Sequence, residues 1–190
     1  MEAISAQAAG STPVSYASVA QLNELLAQLE KTSHNTQSDL VSLRIDRWKT
    51  DSATKRQTQA NVESIERNLQ AALPEIIAQL RAAPEDMAAT FKLYRNLDAL
   101  YDVLGSVTES VGAFGGKDEF RALANDLNAL ETTRRAFADR IENLASSKEA
   151  EIGRLRNDLK ASQAPQAATP PPKKVVVDDT QPPKPGRSAE

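Results

Sequence analysis

Residues 14–73 read VSYASVAQLNELLAQLEKTSHNTQSDLVSLRIDRWKTDSATKRQTQANVESIERNLQAAL, sixty positions without glycine or proline. Those two residue types are the main punctuators of local structure, so their absence leaves little to stop a helix. Apolar residues recur through much of the stretch every three or four positions, the spacing of one helix face. Val19, Leu22, Leu26 and Leu29 keep that rhythm, and Leu40 and Leu43 fall in the same frame two heptads later. Leu25, Val41, Ile45 and Trp48 widen the stripe. A first helix is therefore expected over about residues 15–49, capped by Ser15 or Ser18. Its frame passes through Ser33 and Thr36, where the pattern is weak.

Residues 49–61 lack a large apolar side chain. Two arrangements fit this run. In one it is a turn, with Asp51 or Ser52 capping the next helix, and the chain folds back on itself. In the other it is the solvated middle of a single rod about 90 Å long at ~1.5 Å per residue. The turn is the primary expectation, because near-equal helical segments lie on either side.

Val62, Ile65, Leu69, Leu73, Ile76 and Leu80 define a second helix, with a kink expected at Pro74. Pro84-Glu85-Asp86 reads as a helix start. Leu93, Leu97, Leu100, Leu104, Val107, Val111 and Phe114 step by four and three without a miss, flanked by Phe91, Tyr94 and Tyr101. Gly115-Gly116 is expected to end that third helix in the left-handed conformation, and Asp118 to cap a fourth. In the fourth, Phe120, Leu123, Leu127, Leu130, Phe137, Ile141 and Leu144 hold a heptad frame with Arg134 in one core-type slot. Ile152, Leu155 and Leu159 continue it after a slip of one residue.

These readings predict an all-α fold, an up-down four-helix bundle with coiled-coil-like packing over residues 15–161. A flexible lead over residues 1–14 precedes it, and a disordered tail over residues 162–190 follows. The alternative is a three-helix bundle with a long protruding first helix that dimerises. Seven of the ten prolines lie beyond Ser162, which rules out a helix there.

Composition narrows the function. The net charge is −3 and the pI is about 5.4, with acids and bases interspersed and no basic stripe, so nucleic acid is not an expected partner. No stretch approaches the roughly 18 apolar residues of a membrane span. The first residues lack the basic and apolar regions of a signal peptide, although Ala3, Ser5, Ala6 and Gln7 resemble a mature terminus behind an added Met. There is no cysteine and one histidine, His34, expected at the solvent-facing part of the first helix. That inventory leaves no thiol chemistry, no transition-metal site and little material for a catalytic triad, and no phosphate-binding glycine loop occurs. No catalytic residue, cofactor or metal ligand is therefore assigned. Asp98 and Asp102, four apart, read as a solvated charged face beside Lys92 and Arg95.

Three features are candidate interaction sites. Trp48 ends an apolar stripe and either seals the bundle tip or anchors a partner. Tyr94 and Tyr101 share a face with Leu97 and either pack the core with hydroxyls at the rim or line a ligand groove. Val175, Val176 and Val177 form an apolar island that is either disordered or adds a strand to a partner's sheet.

The island and its flanks, Lys173-Lys174-Val175-Val176-Val177-Asp178-Asp179 behind a proline run, resemble the tails of uncharacterised exported helical-bundle proteins of bacteria. That resemblance covers about fifteen residues and implies an extracytoplasmic location; the expectation is periplasmic or secreted if Met1 replaces a removed signal peptide, and cytoplasmic otherwise. The leading functional expectation is a non-enzymatic structural or protein-interaction module, a helical spacer or scaffold of the bacterial envelope, with a protein partner or self-association. The alternative is a binding protein holding a small apolar ligand or client segment between its helices.

Overall fold

The computed structural model describes residues 16–163. The lead over residues 1–14, the proline-rich tail and the valine island Val175–Val177 lie outside the described residues. Five α-helices are present: α1 Tyr16–Ser42, α2 Ser52–Arg67, α3 Leu73–Ala82, α4 Met87–Phe114 and α5 Lys117–Gln163. A π-turn, Asn68–Ala72, joins α2 to α3 without a break, so the two form one rod, and the described residues contain four rods and no strand.

The rods alternate in direction. At one end Arg140 of α5 reaches the Ser18 carbonyl of α1 and the Pro84 carbonyl before α4. At the other end Trp48, after α1, faces Phe114 at the close of α4, with ring centroids 6.3 Å apart. Midway, Leu29, Ile65, Leu100, Leu104 and Leu130 meet, one or two from every rod. The fold is an up-down four-helix bundle, and the chain folds back within itself. Arg81 of α3 confirms the return by clamping Glu30 of α1 through two hydrogen bonds of 2.7 and 2.8 Å.

The turn comes earlier than the polar run suggests. α1 stops at Ser42 rather than near Lys49, and residues 43–51 make the reversal around a 3-10 turn, Ile45–Arg47. Ile45 and Trp48 are buried by this turn, so it carries its own apolar anchors. The rest of the polar run is the first part of α2. Asp51 caps it, accepting from the backbone N–H groups of Ala53 and Thr54 at 2.8 and 2.9 Å. The Thr54 hydroxyl also donates to Asp51, and together these bonds hold its carboxyl down at about 2.

Pro74 produces a widened turn. It has no N–H to give, and the preceding turn must leave room for its ring. The chain does this by passing through the π-turn, in which the Leu73 N–H bonds the Asn68 carbonyl. At the next junction the helix begins at Met87, not Pro84: Pro84 sits in the turn, and Asp86 is the cap, accepting from the Ala89 N–H at 3.0 Å.

The α4–α5 turn also differs from expectation. Gly115 is extended, with φ −93° and ψ −169°, and no glycine in the described residues is left-handed. Glycine is required there for space: a Cβ would lie 2.9 Å from both the Val111 carbonyl oxygen and Val111 Cγ1. Asp118 does not cap α5. Glu119 does, accepting from the Gly116 N–H at 2.7 Å, the side-chain half of a capping box.

By internal packing the chain divides into two units, Met1–Ala150 and Glu151–Glu190. The bundle described here belongs to the first unit. Of the second, the described part is residues 151–163, all helical.

Candidate functional site

The bundle's α5 face decides which side chains are available for function. The buried line of α5 is Leu123, Asp126, Leu130, Thr133, Phe137 and Arg140. It shares Leu123, Leu130 and Phe137 with the frame expected from apolar spacing. Its alternate positions, however, are an acid, a hydroxyl and a base. Leu127, Ile141 and Leu144 are only half-buried, and Phe120 is exposed. Of the polar side chains, Thr133 satisfies its hydroxyl on the Ala129 carbonyl of its own helix at 3.0 Å, and Arg140 reaches carbonyls of other elements.

Arg140 joins the start of α1 to the turn before α4: Nη2 donates to the Pro84 carbonyl at 2.6 Å, and Nη1 approaches the Ser18 carbonyl and hydroxyl at 3.5 and 3.4 Å. Burial pulls its pKa below the usual arginine range, with Glu85 acting in the opposite direction. A groove of about 500 Å³ beside it, between α1 and α5, is lined by the half-buried Leu25, Ala136 and Leu144 and by the exposed Glu24 and Asp139. Asp126 faces Thr36 and Asp39 of α1. Burial, and then the charge of Asp39, push its carboxyl up to about 6, and its Oδ2 has no hydrogen-bond partner among the described residues.

Arg134, expected in a core slot, is half-buried on the α4–α5 face. It pairs with Asp98 of α4 and with Glu131, the latter at 2.8 Å, and its guanidinium lies 5.1 Å above the Tyr101 ring. Glu131 also takes Arg135 at 2.6 Å. The bond from Arg134, then that from Arg135, lowers the Glu131 carboxyl, and the bond to Glu131, followed by that to Asp98, raises Arg134. Asp98 is thus tied into an ion network, while Asp102 is exposed.

The aromatic candidates do not converge. Trp48 is buried at the Phe114 end, and its indole N–H lacks a partner among the described residues. Tyr101 lies thirteen positions before Phe114, about 20 Å along α4. Tyr94 is two turns further away, half-buried and stacked on the exposed Phe91 ring at 6.4 Å. Both tyrosines pack against the core. His34 is exposed on α1. Among the described residues no three His, Cys, Asp or Glu side chains are grouped to hold a metal ion, and no helix is long and apolar enough to cross a membrane.

The centre of the bundle is closed. The void among Leu29, Ile65, Leu100, Leu104 and Leu130 measures about 10 Å³, room for at most one water molecule. Exposed large apolar side chains lie elsewhere, with Val41, Phe91, Phe114 and Phe120 scattered over the bundle. On the last part of α5, Ile152, Leu155 and Leu159 are 47%, 60% and 56% exposed, spaced by three and four so that they share one helix face. The sequence includes these three in the bundle frame; the structure leaves them uncovered. Asp126 and Arg140 were not legible as buried, because nothing in their residue type or apolar spacing points inward. No protein-family model matches the chain, and neither a curated protein nor a solved structure matches it.

Proposed function

We propose that this chain is a non-enzymatic helical scaffold that binds protein through the exposed face of Ile152, Leu155 and Leu159. That face is the observation that carries the reading. An amphipathic helix gains its stability by covering its apolar stripe, and three large side chains about half-exposed on one stripe invite a partner. The closed centre of the bundle favours this reading over the holding of a small apolar ligand between the helices. The absence of cysteine suits an envelope setting for such a scaffold. Coiled-coil packing is the form the contact takes, with the stripe as its seam.

In-cell photo-crosslinking tests this. A photo-reactive apolar residue in place of Leu155 should give a discrete, recurring protein adduct. The same residue in place of Asn157, on the opposite side of that helix, should give none. Equal yields at both positions, or no adduct at Leu155, would overturn the reading.

A further inference from the structure

We infer that the partner of this stripe is a second copy of the same chain, docked parallel and in register along residues 151–163. The inference rests on the interaction reading above and adds the identity and direction of the partner. Its basis is charge. With Ile152 and Leu159 in the first core position of a heptad and Leu155 in the second, the flanking positions are Glu151 and Asp158 on one side and Arg156 on the other. In a parallel pair each residue of the first flank meets the residue five positions later on the other chain. Glu151 therefore meets Arg156 of the second copy, twice by symmetry. In an antiparallel pair like flanks face each other. In the antiparallel register that sets Leu155 against Leu159 and Ile152 against Ser162, Asp158 would oppose Asp158 and Arg156 would oppose Arg156, so both contacts are repulsive.

Two more observations support the choice. The stripe is set apart from the frame read along the bundle, since Leu144 to Ile152 is eight positions rather than seven. The charged residues around it, Glu151, Arg154, Arg156, Asp158 and Lys160, nearly cancel, which suits a like partner better than a strongly charged one. The seam is short, so association is weak, with a dissociation constant on the order of tens to hundreds of micromolar. It weakens further with salt, because the pairs are exposed.

The test uses the purified full chain and sedimentation at rising concentration. Glu151→Arg and Arg156→Glu should each weaken self-association about tenfold while leaving the melting temperature of the bundle unchanged. An equimolar mixture of the two variants should restore association, because both cross-pairs become attractive again. Ser162→Cys, at the core position after Leu159, should cross-link to its own counterpart. Ser162→Cys mixed with Ile152→Cys should not form the mixed disulfide that an antiparallel pair would give. A chain that stays monomeric up to about 1 mM overturns the proposal, as does a mixture that fails to restore association or a dominant mixed disulfide. If the Leu155 photo-adduct is then a different protein, the scaffold reading stands and only the second-copy inference falls. If there is no adduct at all, both fall.

Discussion

Thr36, Thr58, Thr90, Thr108 and Thr133 are all buried, and each hydroxyl donates to the carbonyl four residues earlier, at 2.8 to 3.0 Å. A threonine that satisfies its own hydroxyl inside its helix can occupy a core position without a partner from another element. Asp126 has no such option, and its carboxyl is raised to about 6 by burial and by Asp39. An unfolded Asp titrates near pH 3.9, so between about pH 4 and 6 the folded chain holds a proton that the unfolded chain has released. This residue's effect on stability is therefore most favourable below about pH 4 and is lost as pH rises through 6, by a total on the order of 3 kcal/mol. Asp126→Asn keeps the shape and removes the charge. Urea denaturation should find the variant more stable than the parent at pH 7.5, with the difference shrinking toward pH 4. A parent equally stable relative to the variant at both values would contradict the buried-carboxylate account.

At the scale of elements, α4 was legible and α5 was not. Every expected core position of α4 from Leu93 to Val111 is buried, because its two core positions are apolar throughout and only one rotation covers them. In α5 the apolar residues define two overlapping lines. The buried one includes Asp126 beside α1, Thr133 bonded within its own helix, and Arg140 bonded to the Ser18 and Pro84 carbonyls, and spacing along α5 reveals none of these. The same limit applies to turns. That Gly115-Gly116 ends α4 was readable; that Gly115 is needed for clearance depends on where Val111 lies. Two glycine substitutions separate these effects. Gly105, within α4, has open space where a Cβ would go, so Gly105→Ala should stabilise by about 0.5–1 kcal/mol through helix propensity. Gly115→Ala should destabilise by about 1–3 kcal/mol, since the Val111 carbonyl cannot yield as a flexible side chain would. Thermal melts of the two variants should move in opposite directions, and a shared direction would refute the clearance argument.

Across the whole molecule, the apolar side chains of the described residues divide into those buried in the bundle and those exposed, among them three on the last part of α5. Leu104 is 2% exposed in the centre, and Leu155 is 60% exposed on the last part of α5. Leu104→Ala should cost about 2–5 kcal/mol, while Leu155→Ala should stay within about 0.5 kcal/mol in dilute solution. Denaturant midpoints of the two variants check the division, and equal losses would mean that the core has been misassigned. That division presupposes that α1 is covered by its own chain, as the contact of Arg81 with Glu30 requires. The most direct measurement is the distance between spin labels on Asn23→Cys and Gln79→Cys, both exposed sites in a chain with no other cysteine. Labelled chain diluted into unlabelled chain keeps the distance intramolecular. The four-helix bundle predicts a separation below about 30 Å, because these sites flank the Glu30–Arg81 contact by about two turns or fewer. A distance near 84 Å, the span of 56 residues at ~1.5 Å each in an unbroken rod, would contradict it.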